Sequence, residues 1–143
     1  METLGQKQRR FVQLFGLLIE YGYQQGFEMT FGEAFRSDEQ AEINALGKTG
    51  RAALAELLAD NDYQGLAYAI GNNVGGGIKN SLHCVRLAVD INLFKDGKYL
   101  TDSEDYKVLG DYWKSLGLDC AWGGDFKPKP DGNHFSIEFQ GRK

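Results

Sequence analysis

Two cysteines in 143 residues are too few for the disulfide framework of a small secreted domain. Cys84 and Cys120 therefore read as free thiols of a reducing compartment, with a single bridge as the alternative. Proline is equally scarce, at two, which argues against a Pro-rich linker protein. Positive charge is short as well. Sixteen Lys and Arg against twenty Asp and Glu give a net charge of -4, so the chain lacks the field by which a non-specific nucleic-acid binder displaces counterions. The densest basic group, Lys7, Arg9 and Arg10, reads as the solvated face of a first helix. Residues 11–19 are apolar but hold Gln13 and Gly16. They are too short to cross a bilayer and lack a signal-peptide cleavage site. No stable membrane insertion is expected, and the protein should stay soluble in the cytoplasm until something releases it. No internal repeat is visible, and histidine occurs only twice.

What is present suits one domain, residues 1–143. Hydrophobic residues make up 42%, enough for a core, and nineteen glycines provide many tight turns. Residues 6–24 have Phe11, Leu14, Phe15, Leu18 and Tyr21 at helical spacing, with Gly26 as a stop. Phe27, Met29 and Phe31 then alternate as a short strand. Ser37 and Gln40 form a capping box for a helix ending near Leu46, with Gly47 as its C-cap. Helical patterns over 50–60 and 63–70 follow. The glycine-rich stretch 71–77 lacks the Gly-Lys-Ser/Thr ending of a phosphate-binding loop and reads as a mobile or tightly turned approach to Ser81. From 86 to 94, Leu87, Val89, Ile91 and Leu93 share one strand face, and Arg86, Ala88, Asp90 and Asn92 share the other. Asp96-Gly97 is a turn. Thr101 and Glu104 cap a helix whose stripe is Tyr106, Leu109, Trp113 and Leu116. Residues 126–133 read as loop. From 134 to 139 the alternation returns, with His134, Ser136 and Glu138 opposite Phe135, Ile137 and Phe139. Mixed helix and antiparallel strand make the fold class α+β.

Both histidines lie on or beside strands, on the face away from the apolar one. A catalytic zinc takes three protein ligands and leaves a fourth position open, and His83, Asp90 and His134 make such a set. Asp131 could serve as general base and acid, and Arg36, just before a helix N-terminus, could stabilise an oxyanion. Each residue also has an ordinary reading. A histidine beside a strand can be a hydrogen-bonded structural residue, Asp131-Gly132 a turn former, Arg36 a solvated or paired cation, and Cys84 a small buried hydrophobe.

Taken together the motifs resemble the M15 family of zinc peptidases. The resemblance rests on Ser81-x-His83 with Asp90 seven residues later, Trp122-Gly123-Gly124, Asp131-x-x-His134-Phe135, and Arg36-Ser37-Asp38-Glu39-Gln40, and runs from about Phe11 to Phe139. It implies a small α+β domain of the Hedgehog/DD-peptidase type, with a central antiparallel sheet flanked by helices. It also implies one Zn2+ per chain on His83, Asp90 and His134, Asp131 as general base, Arg36 polarising the scissile carbonyl, and substrate contacts from Ser81, Arg36 and Trp122. The expected partner is a peptidoglycan stem peptide, cut by a monomer at an amide next to a D-amino acid. The nearest look is to phage endolysins with L-Ala-D-Glu endopeptidase activity. D-Ala-D-Ala carboxypeptidases and a non-catalytic cell-wall-binding or virion relative are the alternatives. Three departures stand out. Arg86 replaces a frequent glycine and could reach the cleft, Ser136 follows Phe135 where Glu is commoner, and 48–79 is long enough to form a cleft wall.

Overall fold

The computed structural model describes residues 2–72 and 80–143. The expected turn leading to Ser81 falls largely on 73–79 and lies outside the described residues. The chain opens with helix α1 (Leu4–Gln24), which starts two residues earlier than the expected 6–24, because Thr3 and Gln6 cap it reciprocally. Gly26, at a φ of 81°, turns the chain into strand β1 (Glu28–Phe31). Three helices follow: α2 (Asp38–Ala45), α3 (Gly47–Asp60) and α4 (Gln64–Gly71). The Ser37 cap is half of the expected box. Ser37 Oγ accepts from Gln40 N at 3.1 Å, while the Gln40 side chain turns to Asn44.

Strand β2 (Ala88–Lys95) is the centre of the sheet. It begins two residues later than the alternation suggests, because Arg86 occupies a left-handed turn with a φ of 54°. On one edge it pairs with β1, from Phe31↔Ile91 to Glu28↔Phe94. On the other it pairs first with β5 (His134–Ile137) and then with β3 (Lys98–Leu100), all antiparallel. Asp96 and Gly97 both have positive φ, the geometry of a two-residue hairpin turn, and they join β2 to β3. Strand β4 (Cys120–Trp122) completes the order β1-β2-β5-β4. β5 is buried along its whole length, so Ser136, expected on an open face, is covered as well.

Helices α1 and α5 (Lys107–Ser115) cover one face of the sheet. Trp113, with no exposed surface, meets Phe11 and Phe135 edge-on and donates its indole N–H to Ser136 O at 2.9 Å. The entry to α5 is a 3-10 turn over Ser103–Tyr106. Its capping pair is therefore Asp102 and Asp105, one residue beyond the expected Thr101 and Glu104 at the same spacing.

α1 is fastened to the start of β4 by Asp119, which accepts from Lys7 Nζ and Arg10 Nη2, each at 2.6 Å. Partial burial would raise the Asp119 pKa, but the hydrogen bonds from Arg10 and Lys7 outweigh it and bring it to about 2. A depressed carboxylate pKa stabilises the fold above the unfolded value near 4 and loses that contribution as pH falls toward 2. Asp119→Asn should cost about 1–2 kcal/mol at neutral pH, less at high salt. Thermal melts should show the wild-type advantage shrinking between about pH 4 and pH 2. An equal gap at pH 7 and pH 2 would contradict this.

Candidate metal centre

Strand register brings the site together. Asp90 lies directly opposite His134 across β2 and β5. On the other edge of β2, Gly32 and Glu33 together oppose Asp90: Gly32 N donates to Asp90 O, and Asp90 N donates to Glu33 O, both at 2.8 Å. This bulge re-aims the chain after β1 toward the site. A Cβ at Gly32 would stand 3.1 Å from the Asp90 Cβ, so glycine permits the approach. His83 comes from a 3-10 turn, Leu82–Val85, whose N-cap is Ser81; its Oγ accepts from His83 N at 3.3 Å.

The three side chains converge. His83 Nε2 is 3.2 Å from His134 Nδ1 and 3.2 Å from Asp90 Oδ1, and His134 Nδ1 is 3.1 Å from the same oxygen. Both rings are buried, at 3% and 8% exposure. With Asp90 ionised, no assignment of the ring protons makes all three contacts favourable. A ring nitrogen carrying a proton offers no lone pair, so two donors or two acceptors must always face each other. A cation among them satisfies all three at once. Ligands about 2.0–2.1 Å from a tetrahedral zinc stand about 3.3 Å apart, close to the triangle observed. Burial would raise the Asp90 pKa, yet the hydrogen bonds from His134 and His83 hold its carboxylate well below the ordinary range. The donor set therefore fits zinc.

Glu33 is the residue that sequence reasoning missed. Its carboxylate takes Arg36 Nε at 2.9 Å and Arg36 Nη2, and lies 3.9 Å from His83 Nδ1. That second ring nitrogen is buried and has no hydrogen-bond partner among the described residues. The only available hint was the position of Glu33 three residues before Arg36. The pairing with Glu33 raises the Arg36 pKa and fixes its guanidinium, and Arg36 N reaches His83 O at 3.4 Å.

Asp131 is tied to His134 by a bond from His134 N to Asp131 O at 3.1 Å, and its own N–H goes to Gly123 O at 2.8 Å. A Cβ on Gly123 would fall 2.1 Å from Asp131 O and 2.8 Å from the His134 Cβ. Desolvation in the cleft and the nearby Asp90 charge raise the Asp131 pKa. Trp122 is not on the cleft rim. It is 5% exposed, packs over Gly110 and Gly124, and donates its indole N–H to Gly132 O at 2.7 Å. It supports the Asp131–His134 turn from behind, because glycines on either side leave room for its ring in the core.

Arg86 does not reach the cleft either. Its guanidinium stacks 4.3 Å from the centre of the Phe35 ring. Its left-handed backbone explains why glycine is frequent there in the resembling family. A cleft of about 820 Å³ holds the triad together with Arg36, Ser81, Phe126, Lys129, Asp131 and Arg142. No described residue of α2, α3 or α4 lines it, so the expected wall from 48–79 is not seen among the described residues.

This fold and donor set are those of a zinc metallopeptidase. Residues 75–137, which include His83, Asp90, Asp131 and His134, match the M15 peptidase model described as D-alanyl-D-alanine carboxypeptidase. That match, together with the clustered donors His83, Asp90 and His134, supports a zinc peptidase of the M15 type. No curated protein matches it. Among solved structures it resembles the L-Ala D-Glu endopeptidase ChiX of Serratia marcescens, with 18% identity and a TM-score of 0.57 over 92% of this chain and 80% of that one. It also resembles a vancomycin-resistance D,D-pentapeptidase VanY, an E175A mutant from a VanB-type cassette in complex with Zn(II). That pair shares 21% identity and a TM-score of 0.52, over 90% of this chain and 70% of that one. VanYB in complex with D-alanine-D-alanine gives 21% and 0.53, over 90% and 69%.

Purified protein should carry about one zinc per chain by metal analysis, and His83→Ala should release it. Gly123→Ala should destabilise the fold by about 1–3 kcal/mol and weaken zinc binding by displacing His134. Wild-type zinc content in both variants would count against this centre.

Proposed function

We propose that the protein is a peptidoglycan endopeptidase that hydrolyses a stem-peptide amide next to a D-amino acid, in the manner of a phage endolysin cutting the L-Ala-D-Glu bond. On this reading His83, Asp90 and His134 are the metal ligands. Zinc held there would supply Lewis acidity and a water activated at neutral pH. Asp131 takes a proton from the attacking water and returns it to the leaving amine, and its raised pKa brings it nearer the pH at which it must both accept and donate. Arg36, pinned through Nε and Nη2 by Glu33, keeps Nη1 for the developing oxyanion. Ser81 Oγ accepts from His83 N and retains its own proton to donate to substrate.

The observation that carries the reading is the triangle of three electron-pair donors, both histidines buried, in one cleft with Asp131 and Arg36. The endopeptidase choice has its own support. A second depression of about 270 Å³, lined by Tyr99, Thr101, Ser103 and Asn133, shares Pro130 and Asp131 with the main cleft. Space beside Asp131 outside the main cleft is what a peptide extending on both sides of the cut requires, whereas a carboxypeptidase needs length on one side only. Such an enzyme would act as a monomer, held in the cytoplasm until released to the cell wall.

Digestion of purified peptidoglycan followed by mass spectrometry of the muropeptides tests this. New amino termini at D-Glu are expected. Loss of terminal D-Ala alone would favour the carboxypeptidase, and no new product would favour a non-catalytic relative. Asp131→Ala should keep zinc and lose about 10²–10⁴-fold in kcat. Full activity in that variant would remove Asp131 as the base.

A further inference from the structure

Among the described residues, four Lys and Arg side chains line the cleft: Arg36, Lys129, Arg142 and Lys143. Two have anionic partners. Arg36 is engaged by Glu33, and Lys143 stands 3.8 Å from Glu138. Lys129 and Arg142 have no carboxylate partner among the described residues, and residues 73–79 contain no acidic side chain that could supply one. Arg142 is nevertheless held in place. Its guanidinium donates to Asn80 O at 3.1 Å, to Gln140 Oε1 at 3.3 Å and to Phe139 O at 3.4 Å, and lies 5.8 Å from the centre of the Phe139 ring. The backbone beneath it is closed by reciprocal bonds between Phe139 and Arg142, each 3.1 Å. These acceptors are neutral, so they orient the charge without cancelling it. An oriented guanidinium on the wall of a cleft, with an ammonium beside the same space, is suited to a carboxylate.

We propose that Arg142, assisted by Lys129, binds a free carboxylate of the substrate and makes the enzyme selective for acidic stem peptides over their amidated forms. The proposal rests on the peptidase reading above and names the substrate class that reading leaves open. Of the cations lining the cleft among the described residues, Arg142 and Lys129 are the ones without a counter-charge, so they provide the place where a substrate anion is accepted. Arg142 would act in substrate binding, not in proton transfer, and its contribution should fall on KM more than on kcat.

The test compares muropeptides whose residue after the cut bond has a free α-carboxylate with the same muropeptides amidated there, on zinc-loaded enzyme. Wild type should show a KM about tenfold or more lower for the acid, as expected for a charge-assisted contact. Arg142→Gln should raise the KM for the acid and bring the acid-to-amide ratio toward one, and Arg142→Lys should retain part of the preference. Equal KM values in wild type, or an unchanged ratio in Arg142→Gln with zinc content intact, would overturn the proposal. Calorimetric binding of the acidic and amidated hydrolysis products gives a second readout. Failure of wild type to hydrolyse either peptide would overturn the peptidase reading, and the product-binding ratio would still decide the carboxylate site. Preference for the acidic product supports the site, and equal affinity rejects it.

Discussion

Two imidazole nitrogens and one carboxylate oxygen are held 3.1–3.2 Å apart in the interior, an arrangement favourable only around a cation. Most of the local structure serves to hold it. The pairing of Asp90 with His134 fixes two donors across neighbouring strands, and a one-residue slip of either strand would turn its side chain to the opposite face. The buried apolar side of β2, with Val89, Ile91 and Leu93, sets that register from below. Trp113 locks β5 from the helical side through Ser136 O. The third donor, His83, is delivered by a short capped turn, which ends at the left-handed Arg86.

Around this triangle, charge is divided by partner. The Glu33–Arg36 pair gives a fixed cation with its counter-charge already in place. Asp131 lies in the same cleft with its pKa raised, while Asp90 is held ionised, so two carboxyls of one site are pushed in opposite directions by their surroundings. The two carboxyls are separated in acidity in this way without any difference in residue type. Arg86 illustrates a different compensation. A left-handed non-glycine residue carries strain, and stacking on Phe35, next to Arg36, offsets part of it.

Much of this was legible in the sequence. The helical stripes of α1 and α5, the alternation of β2 and β5, and the donor set His83, Asp90 and His134 follow from spacing alone or from spacing with family resemblance. Strand β4 was not legible, because Cys120, Ala121 and Trp122 are too few to show alternation. Trp122 beside two glycines reads equally as a cleft rim or as a ring packed on bare backbone, and only the contacts with Gly110 and Gly124 decide for the second. Glu33 carries only its spacing from Arg36, and Arg142 no local pattern at all. Their significance comes from what lies across space from them: Arg36 and His83 for the first, an open cleft for the second.

Zinc at the clustered donors His83, Asp90 and His134 should be bound through nitrogen and oxygen alone. Cys84 follows His83 directly, so a thiolate is the one competing donor close in sequence. X-ray absorption at the zinc edge of the purified protein separates the two. A shell of light atoms at about 2.0–2.1 Å with imidazole scattering is expected, whereas a sulfur at about 2.3 Å would contradict the nitrogen and oxygen donor set.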